Sequence, residues 1–299
     1  MLTSFTPIFV ALVFLFIPAG FIVWMRNRQR QRKRSPLSQQ LLRSPGESLR
    51  KELDDRMWDV MGYLMGLPLF PLMLYSTHMT QAYVDGRSPR VSFVLIAVGF
   101  LVFSFLFYMT YTAMRKVWRL RLGYDAELAM GQELDQLMRK GVAVFHDFPA
   151  EGFNIDHIMV APNGVFAIET KGRSKPNRDR GAEDAKVTFD GKVLSFPGWI
   201  ETKPLDQARN QAQWLSKWLS SAVGEKVVVK AVVTLPGWFV DRKGRGDVLV
   251  ISGREAPSLL NVKQEPMPDS LLKRIEHQLD QRCRDVEPAM YKKRVQIAV

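Results

Sequence analysis

Two short segments carry residues that could do chemistry: Asn154-Ile155-Asp156-His157-Ile158 and Ile168-Glu169-Thr170-Lys171-Gly172. Side chains alternate along a strand, so Glu169 and Lys171 fall on one face. A turn at Pro162-Asn163-Gly164 would pair the segments antiparallel and bring Asp156 to the end that carries Glu169 and Lys171. Two carboxylates at neighbouring strand ends supply the oxygen ligands preferred by a hard divalent cation such as Mg²⁺. A lysine beside them can orient an attacking water or stabilise charge on a phosphate. Glu127, on a preceding helix, offers a further carboxylate. Each piece alone is ordinary: a Glu-x-Lys pair is usually a solvated face, and an Asp near a turn is commonplace. Their conjunction near the ends of strongly apolar strands, followed by Gly172 and a basic loop, singles them out.

Other candidates carry less. His157 adjoins Asp156, faces the opposite side of its strand and reads as packed; His146 reads the same way. Four histidines and one cysteine make no zinc pattern. Gln207, Gln211, Trp214 and Trp218 fall on one helical stripe; the tryptophans could stack on bases, but beside Ala208, Ala212, Leu215 and Leu219 they read better as core. Arg173, Lys175, Arg178 and Arg180 could grip a phosphate backbone, diluted by Asp179, Glu183 and Asp184.

A mixed α/β scaffold is needed to position these groups. The periodicity predicts a helix over 124–140, stopped by Gly141. Strands are predicted over Val142–Phe148, Asn154–Ala161 and Gly164–Thr170, then a loop over 172–185. Lys186–Phe196 reads as a hairpin closed at Asp190-Gly191. Pro204 opens a helix that runs to about Ala222. Val227–Leu235 has the continuous apolar pattern of a buried central strand; Asp247–Ser252 reads as another strand and Asp269–Cys283 as a final helix. Layered together, these elements predict one sheet with flanking helices.

The N-terminal part has a different chemistry. Phe5 to Met25 contains no charged residue, long enough to span a bilayer core. Basic residues follow the run instead of preceding it, the reverse of a signal peptide. Residues 1–25 are therefore predicted as a transmembrane helix, 26–59 as a basic cytosolic loop, and 60–80 and 91–114 as two more transmembrane helices. The loop over 26–59 holds ten Lys and Arg, against Arg87 and Arg90 between the second and third runs. This asymmetry predicts an inner-membrane protein with its N-terminus outside and residues 115–299 in the cytoplasm. A re-entrant hairpin over 60–80 would invert that side. No run contains Asp, Glu, Lys or Arg, so the apolar part reads as an anchor in the lipid bilayer and not a pore. The net charge of +12 is shared: residues 1–113 hold 12 Lys and Arg against 6 Asp and Glu, and the remainder 30 against 24. The soluble part is thus only mildly basic. A lone cysteine, Cys283, leaves no disulfide partner within the chain.

Ala126-Glu127, Asn154 to Ile158, Gly164 to Gly172 and Pro204-Leu205-Asp206-Gln207 together resemble the NERD (nuclease-related) domain, a family similar to the PD-(D/E)xK nucleases. The resemblance covers about 120–235 and leaves 236–299 as a β-α extension. It implies a restriction-endonuclease-like mixed sheet flanked by helices. It also implies Asp156 and Glu169 as ligands of Mg²⁺ or Mn²⁺, Lys171 as catalytic lysine, Glu127 as helix carboxylate and Gln207 as supporting glutamine. The expected function is a membrane-anchored, metal-dependent nuclease acting on DNA or RNA. The other expectation is a module that keeps the nuclease fold without turnover and binds nucleic acid or protein at the membrane.

Overall fold

The computed structural model describes residues 6–32, 39–86, 93–176, 184–263 and 266–288. They divide into two compact units. Helix α1 (Thr6–Arg32) and the portions of α2 (Glu47–Val84) and α3 (Phe93–Asp135) within 53–118 belong to one; residues 39–52 and 119–287 form the other.

In the first unit, two helices among the described residues, α2 and α3, are long and apolar enough to cross a membrane, where three spans were expected. Part of the expected first span, residues 1–5, lies outside the described residues, and α1 covers the rest. The apolar windows of α2 and α3 are 6% and 0% buried within the chain, so neither window lies in the core of a folded domain. The expected loop over 26–59 is also corrected. Glu47 opens α2 with its carboxylate on Ser44 Oγ at 2.7 Å and on Arg50 at 2.8 Å, so the charged stretch 47–59 is helical. Likewise, α3 continues through its basic residues, and the helix expected over 124–140 is its last part. A 3-10 turn, Gln136–Lys140, follows, and Gly141 ends it in the left-handed region at φ 78°.

In the second unit, β1 (Ala143–Pro149), β2 (Asn154–Ala161) and β3 (Gly164–Thr170) are antiparallel, and β7 (Val229–Thr234) and β9 (Leu249–Ile251) add in parallel to give the order β1-β2-β3-β7-β9. Of these, β2 and β3 keep their expected bounds, β1 is shifted by one residue, and β7 is shorter than the apolar run 227–235. Strand alternation sorts the core into two layers. Ile158, Val160, Val165 and Ala167 pack with Leu215 and Leu219 of α4 (Lys203–Val223) and Ile275 and Leu279 of α5 (Asp269–Cys283). Met159, Phe166 and Ile168 pack on the other face with Met130 and Leu134 of α3.

The expectation of one sheet is corrected to two. The predicted hairpin forms as β4 (Lys186–Phe189) and β5 (Leu194–Phe196), with Asp190 Oδ1 accepting from the N–H groups of Lys192 and Val193. It builds a second sheet with β6 (Trp199–Glu201) and β8 (Phe239–Arg242), in the order β6-β5-β4-β8. Backbone contact explains the pairing: a β-carbon on Gly244 would lie 1.8 Å from the Asp190 carbonyl oxygen, so a bare glycine backbone seats the segment after β8 against the hairpin tip. The region after 236 is therefore no appendage, since β8 and β9 complete one sheet each; residues 289–299 lie outside the described residues.

Candidate functional site

Strand parity places the charged groups. Glu169 and Lys171 continue the series Val165, Ala167 toward α4, where Gln211 and Gln207 meet them. Asp156 stands one residue beyond the His157–Ile168 pair of the β2–β3 ladder, opposite Glu169. Its Oδ2 accepts from the main-chain N–H of Thr170 at 2.7 Å. Lys171 N–H donates to the carbonyl of Thr234 at 2.9 Å, so pairing with β7 runs one residue past β3 and orients the lysine.

Lys171 Nζ forms a salt bridge with Glu169 Oε1 and donates to Gln207 Oε1 at 3.0 Å. Glu169 is 1% exposed, and its other oxygen accepts from Gln211 Nε2 at 2.6 Å. Glu127 arrives from α3. A β-carbon on Gly172 would lie 2.4 Å from the Leu122 carbonyl oxygen and 3.1 Å from Ala126 Cβ, so glycine permits the close crossing that brings Glu127 to the strand ends.

Electrostatics ties the carboxylates together. The Glu127 carboxyl is pushed up to about 8, first by burial, then by Asp147 and Glu169, with Lys171 opposing. Asp156 is also raised well above the usual carboxylate range by burial, Glu169 and Glu127, against the Thr170 N–H and Lys171. Added positive charge would relieve that mutual repulsion, and an all-oxygen donor set suits a hard divalent ion. Each carboxylate oxygen already in a hydrogen bond keeps a second lone pair. No group of three or more His, Cys, Asp and Glu is arranged as a metal cage among the described residues; Glu169 is turned to Lys171 and Gln211.

Sequence reasoning thus named Asp156, Glu169, Lys171, Gln207 and Glu127, and these residues meet at one end of the larger sheet. It missed Gln211 as a member of the site, although a polar residue within the apolar stripe Ala208, Ala212, Leu215 was a readable signal. It also missed Asp147, which is 3% exposed and acts on Glu127. His157 is packed on the opposite face as expected, with Nδ1 2.9 Å from His146 Nδ1. Trp214 and Trp218 are partly buried and pack against the core, with Phe148 5.2 Å from Trp218. Arg173 is engaged by Glu201 at 2.8 Å, and Lys175 lies over the Trp238 ring at 5.9 Å. Arg178, Asp179, Arg180 and Glu183 lie outside the described residues, as does half of the expected loop over 172–185.

Residues 122–236 match the family model described as the nuclease-related domain, NERD. Comparison with curated proteins and with solved structures finds no match. The matched stretch encloses Glu127, Asp156, Glu169, Lys171, Gln207 and Gln211 and excludes β8, β9 and α5.

Proposed function

We propose that this NERD domain is a Mg²⁺- or Mn²⁺-dependent phosphodiesterase acting on nucleic acid. The observation that carries the reading is the meeting of three carboxylates, Asp156, Glu169 and Glu127, with Lys171 at one sheet end. Asp156 and Glu169 would hold the cation. When bound, such an ion lowers the pKa of a coordinated water and neutralises charge on a phosphate. Lys171, braced by Glu169 and Gln207, presents its ammonium group to the attacking water or to a phosphate oxygen. Glu127 closes the group from the α3 side.

The test uses the full chain in detergent with labelled single- and double-stranded DNA and RNA. Cleavage is expected with Mg²⁺ or Mn²⁺ and not with EDTA. No product across these substrates and metals, with binding that falls steeply as salt rises, would replace the enzyme with the nuclease-fold binding module.

We also propose that the N-terminal helices anchor the protein in an inner-type cell membrane with residues 115–299 on the cytoplasmic side. The exposed apolar windows of α2 and α3 and the ten Lys and Arg over 26–59 support this, and α1, uncharged from Thr6 to Met25, fits a further span. A reporter fused after Val299 should be active only if it works in the cytoplasm; activity of an export-dependent reporter would reverse the topology.

A further inference from the structure

Gln207 and Gln211 lie one helical turn apart on α4, and their amides address different members of one ion pair. Gln207 takes Lys171, and Gln211 takes Glu169. Gln211 Nε2 also donates to the main-chain carbonyl of Asn154 at 3.2 Å. Asn154 begins β2 two residues before Asp156, and Glu169 lies near the end of β3. One amide thus bridges the two strands that carry the two candidate ligands.

Burial makes this arrangement informative. Gln211 is 2% exposed and stands among Ala208, Ala212 and Leu215, where an amide costs free energy unless its polar atoms are paired. Its Nε2 is satisfied twice. Its Oε1 is buried with no hydrogen-bond partner among the described residues, an acceptor left over for a donor that those residues do not supply. A leucine at this point of the stripe would pack with no such cost.

We propose that Gln211 is a positioning residue for the cation site: it pins Glu169 Oε2 and holds the β2 and β3 ends at a set separation. Through both contacts it sets the affinity of Glu169 and Asp156 for a divalent ion. The proposal rests on the reading of these two carboxylates as cation ligands. Ligating carboxylates are themselves held by hydrogen bonds, and loss of such a partner typically weakens metal affinity by about 10- to 100-fold.

The test compares the full chain with Gln211→Met, which keeps the length of the side chain and removes both polar atoms. Mn²⁺ affinity is read by calorimetry and melting temperature in EDTA. Mn²⁺ affinity should fall by about 10- to 100-fold while the metal-free protein stays folded. If Gln211→Met does not fold, Gln211→Asn, which keeps the amide but withdraws it by one methylene, should show the same loss. A metal-free cycle with Glu169→Ala separates this proposal from the functional reading: Gln211→Met should lower the melting temperature of the wild type by more than it lowers that of Glu169→Ala. Additive effects in the cycle, or unchanged Mn²⁺ affinity in a folded variant, would overturn the positioning role. A wild type that binds no Mn²⁺ would overturn the cation reading, and non-additivity would still support the Gln211–Glu169 coupling.

Discussion

Gly172 faces the main-chain carbonyl of Leu122 so closely that a β-carbon would sit 2.4 Å from its oxygen. Backbone is the obstacle, so no rotamer change relieves the clash. Gly172→Ala must push α3 off the end of β3, and Glu127 moves with the helix. Overpacking of this kind costs about 1–3 kcal/mol, and each kcal/mol lowers the melting temperature by about 2–4 °C in a domain of this size. An unchanged melting temperature would show that the helix crossing is looser than the geometry implies.

Lys171→Ala separates binding from turnover. The lysine is not a candidate ligand; its removal takes a hydrogen-bond partner from Glu169 but also takes a positive charge from beside the cation, so the two effects oppose and Mn²⁺ affinity should change less than in Gln211→Met. Turnover should fall by about 10²–10³-fold, the scale of losing one donor aimed at developing charge. Asp156→Asn should lose both, since it removes a ligand charge. Calorimetry and a cleavage assay on the same preparations decide between them. Equal metal affinity in wild type and Asp156→Asn would remove Asp156 from the ligand set.

Arg43 joins the segment before α2 to the sheet. Its guanidinium meets Asp147 at 2.8 Å, with side chains 13% and 4% exposed, and also meets Asp285 at 2.7 Å. Asp147 has a φ of 47° and is held by Ser48 and by the Asn154 side chain as well, and the β1–β2 ladder passes over it. Breaking a buried pair costs about 3–5 kcal/mol, and Arg43→Ala should lie at the low end because Ser48 and Asn154 remain. A fragment beginning at residue 115 lacks this whole arm and should melt below the intact domain. Equal melting temperatures for fragment and full chain would make the arm dispensable.

Acid should weaken the domain through His157. Burial first, and then repulsion from His146, holds its pKa well below the usual value near 6.5. The unfolded chain takes up a proton near pH 6.5, and the folded chain does not. The His157 contribution is therefore full above that pH and falls as pH drops below it, by up to about 1.4 kcal/mol per pH unit for one proton, while the raised carboxyls of Glu127 and Asp156 take up protons in the folded state first and act in the opposite direction. Between pH 8 and 5 the other groups are common to both proteins, so the melting temperature of the wild type should lose ground to that of His157→Leu as the pH falls. Matching slopes would assign the acid loss to other groups.

The larger sheet was legible where chemistry is local. β2 and β3 end where alternation meets a turn, Gly141 caps its helix, and Asp190-Gly191 closes its hairpin, because each signal depends on neighbours in the chain. The charged stretch 47–59 looked like a loop because its helix depends on the hydrogen bond from Ser44 to the Glu47 carboxylate and on side-chain pairs, which composition does not display. The second sheet was illegible for a different reason: β4 pairs with β8 through glycine backbones that meet across about fifty residues of chain.

The sequence by itself determined that Glu169 and Lys171 share a face, since parity along a strand follows from the backbone alone, and that a turn at 162–164 brings Asp156 to their end of the strands. It also determined the apolar runs and their flanking charges. Only the tertiary structure decided that Gln211 grips Glu169, 42 positions away, and that Arg43 reaches Asp147 across 104. Burial and helix crossing set such contacts, and both arise once the layers pack. The raised Glu127 carboxyl has the same origin: a glutamate on a helix titrates ordinarily until a second layer excludes its water.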